Sequence, residues 1–399
     1  MDKFDTIIVG GGPVGGSLAI ALAKAGLQVA VVERVNEIPK GSEGRALAIS
    51  HGSHNVFRGI DLWQHVEDHA QPIHDIRVTD GDAPWYIHYD PESIGNHPLG
   101  YMIEFQFLAP KIMEVAQQQK NIKWLAPEEV TSFNRDGNGA EVHLASGKTI
   151  VAPLLVAADG RFSKIRESVG FKVTRWQYGQ KALVCVVEHE KSHNGQAFEG
   201  FLPEGPFAML PMKGNRSSIV WMEEASAIDR YLEYDDQALA AEIQRRFGDD
   251  YGTLKVVSKR WSYPLGVHFA HEYIDNRLAL VGDAAHSIHP VAGQGLNLGI
   301  RDMAALAEII VETHRMGLDI GGHTALERYQ RWRRFDNMTM MAVTHGLVKF
   351  FGLQSAPVRL VRGLGFRAIN ALRPVKRHFM QHAMGVSGEL PKLVAGEGL

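Results

Sequence analysis

A single cysteine, Cys185, in 399 residues excludes an internal disulfide, a Cys-x-x-Cys redox pair and a thiolate zinc site. Its setting, ALVCVV, reads as a buried strand, so the thiol is expected to be inert core. No apolar run approaches the roughly 20 residues of a membrane span. MDKFDTIIVG begins the first strand at once, without a basic leader, and the expectation is a cytoplasmic protein lacking a transmembrane anchor. A net charge of −3 gives no reason to expect nucleic acid. Acidic residues are missing from one stretch: Asn337 to Gly388 holds no Asp or Glu, yet contains Lys349, Arg359, Arg362, Arg367, Arg373, Lys376 and Arg377. There LVKFFGLQSAPVRLVRGLGFRAINAL is apolar with basic punctuation at near-helical spacing. It reads either as a helical hairpin packed on the body or as an interfacial surface for anionic membrane.

Glycine, by contrast, is plentiful, with 41 residues, and it clusters. FDTIIVGGGPVGGSLAIALAKAGLQVAVVER predicts a strand over 4–9, a helix over 14–25 and a second strand over 28–33. Gly10-x-Gly12-x-x-Gly15 falls at the strand-to-helix junction, where glycines permit a tight turn and close approach of backbone to a pyrophosphate. Glu33 ends the second strand, placed to accept ribose hydroxyls and to repel a 2′-phosphate. The triplet alone is weak, but its context indicates a bound adenine dinucleotide. Arg45, in GSEGRALAIS, reads equally as a solvated loop charge or as a cation near that dinucleotide.

The pattern of strand, glycine turn and helix recurs twice. LLVAADGRFSKIRESVG runs from a strand through Asp159-Gly160 into a helix, with Ser163 as N-cap. The cations Arg161, Lys164 and Arg166 around this turn suggest an anionic neighbour. RLALVGDAAHSIHPVAGQGLNLGIRD gives a strand over 278–281, the Gly282-Asp283 turn and a helix from about Gly295. Asp283 could accept a sugar-like hydroxyl, and Gly293, Gly295 and the amides of Leu296 and Asn297 form a helix start open to a flat or anionic group. His286 and His289, like His65 and His69 on an expected helix, lack a companion ligand cluster, and no metal site is expected.

These motifs resemble the FAD-dependent aromatic hydroxylases of the para-hydroxybenzoate hydroxylase type, within them the ubiquinone-biosynthesis branch. HPVAGQGLNLGIRD, from His289 to Asp302, matches that branch's pattern without departure, and the likeness extends through GGGPVGGSLA, GRALAIS, AADGRFSKIR, AFEGFLPEGPFAMLPM, GDAAH and AMGVSGELPKL. In IEFQF, Phe105 stands where many members have Asn, which weakens the carry-over at Gln106. The resemblance implies an α/β fold: a Rossmann-type FAD-binding domain from 1–70, 101–175 and 273–340, interleaved with a β-sheet substrate domain from 71–100 and 176–272, then C-terminal helices over 341–399. Gly10, Gly12 and Gly15 would hold the FAD pyrophosphate and Glu33 the adenosine ribose, with Pro13, Val14, Arg34 and Val130 also among the FAD-binding positions. Arg45 would lie near the phosphates, and Gln106 by the ribityl and phosphate arm. Asp159 would serve both FAD and the nicotinamide donor. Gly282 and Asp283 would bind the ribityl chain, while Pro290, Gly293, Gly295, Leu296 and Asn297 would line the isoalloxazine.

The implied activity is hydroxylation of a polyprenylated phenol in ubiquinone biosynthesis, with NADH or NADPH as transient donor and O2 activated as a flavin C4a-hydroperoxide. Overall likeness leans to the 2-polyprenyl-6-methoxyphenol step. No catalytic side chain is assigned. Phe198, Phe201, Phe207, Met209 and Met212, in the alternating middle region, are candidates for an apolar substrate pocket or for ordinary core. The implied setting is the bacterial cytoplasm, peripheral to the inner membrane through 341–382, with other ubiquinone-biosynthesis proteins as partners. A non-catalytic flavin-binding subunit and another flavin oxidoreductase on the same fold are the alternatives. The Trp-x-Trp-x-Ile-Pro motif of halogenases does not occur.

Overall fold

The computed structural model describes residues 1–37, 44–81, 86–89, 97–353 and 355–399, without the side chains of 292, 356, 360, 367, 368, 371 and 373. Arg367 and Arg373 thus lie outside what is described at side-chain level.

Thr6–Val9 and Val29–Val32 are short, continuously apolar strands, the pattern of a sheet covered on both faces. They form the middle of a six-stranded sheet in the order Ile274–Asp275, Leu278–Leu280, Leu154–Ala157, Thr6–Val9, Val29–Val32, Ile122–Leu125. All neighbours in it are parallel except the antiparallel edge pair at 274–280. Strands from three distant parts of the chain therefore share one sheet. The helix Pro13–Lys24 packs between it and the helices Phe105–Gln118 and Gln294–Arg315. Gln294–Arg315 is buried on nearly every side, as suits a helix in the middle of a layer.

A nine-stranded sheet makes the second body. Its backbone is the strand Val173–His189, which starts beside Trp261–Ala270 and, past an irregularity between Gln177 and Lys181, continues against Arg216–Glu224. Gly205–Met212, Gln196–Leu202, Asp75–Asp80 and Tyr86–Tyr89 follow in order. Its outer face packs on the helices Ala225–Leu232 and Asp236–Phe247, through Leu183, Cys185, Phe207 and Trp221 against Ile228, Leu239 and Ile243. Cys185 is in this layer, its thiol pushed up to about 12 by burial. The inner face turns towards the first body.

Helices His323–Gly352, Ala356–Ala371 and Arg373–Ala383 follow. Among the described residues no helix is long and apolar enough to cross a membrane. His65 and His69 lie in separate 3-10 turns, not on one helix.

Candidate functional site

The three glycine turns meet. Gly10, at φ +103°, is packed so that a Cβ would lie 2.3 Å from the Ala158 carbonyl oxygen, next to Asp159. Val14, one turn on, fills the space over Gly282 and Gly299: a Cβ on either would come within 3.2 or 2.8 Å of its Cγ2. The residues of widely separated motifs thus converge at the C-terminal ends of the strands, where open α/β sheets bind ligands.

Within this junction the glycines divide by function. A Cβ on Gly15 would stand 2.0 Å from the Gly10 carbonyl oxygen, so Gly15 is there for packing. A Cβ on Gly12 or Gly295 would meet none of the described residues within 4 Å, so among them both face open space. Gly12 and Gly293 cap the helices Pro13–Lys24 and Gln294–Arg315 without any side-chain acceptor for the first amides. Both helix starts therefore lack a capping side chain at the N-cap position and present the positive end of the dipole. Pro290 and Leu296 flank the second start, half-buried. The Asn297 amide is already used: it accepts from Ser50 N at 2.9 Å and donates to the Ala48 and Gly293 carbonyls at 3.0 and 3.1 Å. It welds the helix start to the strand Ala46–Ser50, leaving backbone as what this segment can offer a ligand.

The charged groups fit the same cleft. Glu33 accepts the Gly11 amide at 2.6 Å and the Val35 amide at 3.0 Å, which fixes its carboxylate at the turn. Glu128 N donates to the Glu33 carbonyl at 2.8 Å, bringing the chain ahead of Val130 to this end, where Arg34 is exposed. Asp283 is open to water yet ringed by protein: burial raises its carboxyl, while His286, Arg161 and Arg45 pull the other way. That combination marks the wall of a deep cleft. Arg45 stacks on the Phe105 ring at 4.9 Å, and neither it nor Arg161 has an ion-pair partner among the described residues. Asp159 uses one oxygen on the Ile165 amide, and its other oxygen is buried with no hydrogen-bond partner among the described residues. Gln106 donates to Glu104 at 2.8 Å and lines, with Arg216, a polar cleft of about 550 Å³.

The other two cations of the second turn have structural partners. Lys164 meets Glu129 at 2.5 Å, and Arg166 is fully buried, donating to the Ala284 and Arg161 carbonyls at 2.9 Å. Sequence reasoning missed this brace, and it missed what Asp302 does at the end of its own motif. Asp302 is fully buried and accepts from Gly282 N at 3.1 Å, His286 Nε2 at 2.5 Å, Arg333 Nε at 2.9 Å and Asn337 Nδ2 at 2.9 Å. Burial works against its charge, but His286 and Arg333 outweigh it and hold the carboxyl down to about 2. A carboxylate on the apolar side of a helical pattern was the available signal.

Strand register redistributes the expected pocket residues. Phe198 pairs with Met209, and both, with Phe207, belong to the outer face against the helices. Phe201 alone joins the inner cluster, with Ile87, Met222, Leu265, Val291 and Phe351. Met212 is buried near the end of its strand, its carbonyl facing His193 Nε2 at 2.7 Å. Arg362, in the basic C-terminal segment, packs on the body: only 3% exposed, it pairs with Asp80 at 2.9 Å and donates to the Phe351 carbonyl at 2.8 Å.

Comparison with known proteins agrees with this geometry. The family described as "FAD binding domain" matches residues 3–342. Ubiquinone hydroxylase UbiL of Rhodospirillum rubrum is 45% identical over 398 residues, 98% of this chain and 92% of that protein. The 3-demethoxyubiquinol 3-hydroxylase of Escherichia coli is 31% identical, over 95% and 98% of the two chains. The crystal structure of p-nitrophenol 4-monooxygenase PnpA from Pseudomonas putida DLL-E4 superposes with a TM-score of 0.81 at 20% identity, covering 98% and 100%. The fold and cleft define an FAD-binding α/β protein. The chain belongs to the FAD-dependent hydroxylase family of ubiquinone biosynthesis.

Proposed function

We propose that this protein hydroxylates the aromatic ring of a polyprenylated phenol on the way to ubiquinone. One atom of O2 replaces a ring hydrogen as hydroxyl, and the other leaves as water. NADH or NADPH supplies the hydride, and a proton from solvent completes the balance. The observation that carries this reading is the convergence of two uncapped helix starts, Asp283 and two unpaired arginines on a cleft facing the inner, apolar side of the second sheet. FAD, when bound, supplies hydride acceptance and oxygen activation. The protein's own contribution is to hold and orient. Gly12 and the amides behind Pro13 suit the pyrophosphate, Glu33 the ribose, and Arg45 and Arg161 the phosphates. Asp283 suits the ribityl hydroxyls. The helix start at Gly293–Asn297 suits the flavin ring, where its dipole favours negative charge. The inner sheet face, through Phe201 and Val291, excludes water from the ring being hydroxylated.

The C-terminal helices supply a second element of the proposal, peripheral contact with an anionic membrane. Phe335, Val343, Leu353, Val361 and Leu364 are exposed by 78, 48, 54, 59 and 56%, and Lys349, Arg359 and Arg377 are exposed among such residues. Apolar side chains rimmed by cations on adjacent helices suit an interface where a lipid-tailed substrate resides.

The holoenzyme should be turned over with NADH or NADPH, ¹⁸O2 and short-tailed phenols, 6-methoxyphenol and demethoxyubiquinol analogues among them. One labelled oxygen in a catechol-type product, with phenol-stimulated donor oxidation, is the expected result. Donor oxidation that yields only peroxide, whatever phenol is present, would overturn the reading in favour of a flavin-carrying subunit.

A further inference from the structure

Glu199 is the only residue of the strand Gln196–Leu202 that carries a carboxylate, and the strand's register aims it inward. Ala197 and Phe201, two residues to either side, belong to two apolar clusters on the inner face, whereas Phe198 packs outward. Glu199 pairs across to Ala208 and to Val78, so its cross-strand neighbours on that face are apolar. One flanking cluster contains Ala46 and Ala48, and a Cβ on Gly293 would lie 3.0 Å from Ala48 Cβ. The other contains Val291, from the loop that starts the same helix. Glu199 therefore lies on the face of the sheet that packs, through these two clusters, towards the segment suited to the flavin ring. Its Oε1 is buried and has no hydrogen-bond partner among the described residues.

We infer that Glu199 is a catalytic base, accepting the proton of the substrate's phenolic hydroxyl as the ring is hydroxylated. This rests on the reading above. The O–H bond breaks, its proton passes to the Glu199 carboxylate, and the electron pair stays on the phenol oxygen, whence it enriches the ring carbon that gains oxygen. The proton returns to water after product leaves. Among the described residues, other titratable groups on this face are engaged or held neutral, and the Tyr178 hydroxyl meets His345 Nδ1 at 2.8 Å. Asp80 is paired with Arg362 and Arg216 with Glu104, while burial pushes the Tyr89 hydroxyl up to about 12. Burial alone raises the Glu199 carboxyl, to about 7, where a base is most effective near neutral pH. An unpartnered carboxylate in this setting is costly to the fold, which is common where function keeps it.

The test compares the wild-type holoenzyme with Glu199→Gln. With a phenol of ordinary acidity, kcat/KM is expected to fall about 10²- to 10⁴-fold, and the wild-type rise in kcat/KM with pH through the neutral range should disappear. With a nitro-substituted phenol that is already ionised at the assay pH, the deficit should shrink to a few-fold. FAD content and anaerobic flavin reduction by the donor should not change, and E199Q should melt at or above wild type at pH 8. Equal rates and equal pH profiles in the two proteins would overturn the inference. A deficit that persists undiminished with the pre-ionised phenol would do so too. Wild-type protein that hydroxylates no phenol would instead defeat the functional reading itself.

Discussion

Replacing Asp302 by Asn tests whether the buried anchor under the Gly282-Asp283 turn sets the shape of the cleft. The side chain keeps its size but loses the charge that faces His286 Nε2 at 2.5 Å and Arg333 Nε at 2.9 Å. One of its oxygens becomes an amide donor, which must oppose donors already aimed there. Arg333 would keep Asp336, at 2.7 Å from its Nη1, so one ion pair survives. Breaking a buried pair from one side typically costs about 3–5 kcal/mol. Spread over a chain of 399 residues melting as a unit, that is a fall of about 4–6 °C in Tm. The sign with pH follows from the low folded value of about 2, against about 3.9 when unfolded. Asp302 contributes stability that is fully present above about pH 4 and lost as pH falls through the folded value. The gap between wild type and D302N, measured by calorimetry, should therefore be largest at neutral pH and narrow towards pH 2. Arg333 and Asn337 keep the remaining oxygen at the Oδ1 position, so the amide nitrogen replaces Oδ2, Gly282 N loses its acceptor and FAD affinity by fluorescence titration should drop as well. A variant within 1 °C of wild type and with the same affinity would refute the anchor.

Gly12 and Gly15 make a contrasting pair. Gly12→Val should leave the Tm of the apoprotein unchanged, since its Cβ points into open space, but should abolish copurification of FAD; Gly15→Ala should lower both. Lys349→Glu with Arg359→Glu and Arg377→Glu should cost most of the binding to phosphatidylglycerol vesicles in a sedimentation assay, and unchanged binding would remove the membrane proposal. Arg362→Glu should act differently, lowering Tm, because it breaks the buried pair with Asp80. Iodoacetamide should label Cys185 only after denaturant unfolds the second sheet, as its thiol is fully buried and its ionisation is suppressed.

Local order along the chain was legible because it is written in local chemistry. The helix over 14–25 is observed as Pro13–Lys24, and the strand over 278–281 as Leu278–Leu280. Glycine turns bounded by apolar runs have few alternatives, and the long motif from His289 to Asp302 was specific enough to point to a family, which whole-chain similarity then showed. The inner and outer faces of the second sheet were not legible. Phe198 and Phe201 are equally apolar, and their opposite destinations depend on register with strands more than a hundred residues apart in some pairs, such as 75–80 with 196–201. The same blindness hid Glu199, a charged residue in an apolar strand that looks like a solvent-facing position until the register turns it inward. Arg362 and Arg359, three residues apart in one basic segment, likewise parted company: one is buried on Asp80, the other is exposed. By itself the sequence determined that this protein would build glycine-rich strand-to-helix turns, because backbone sterics act between neighbours. Only tertiary structure decided which charges meet in the cleft, which are spent as braces and which carboxylate is left without a partner, because those choices follow from contacts between segments that the chain keeps far apart.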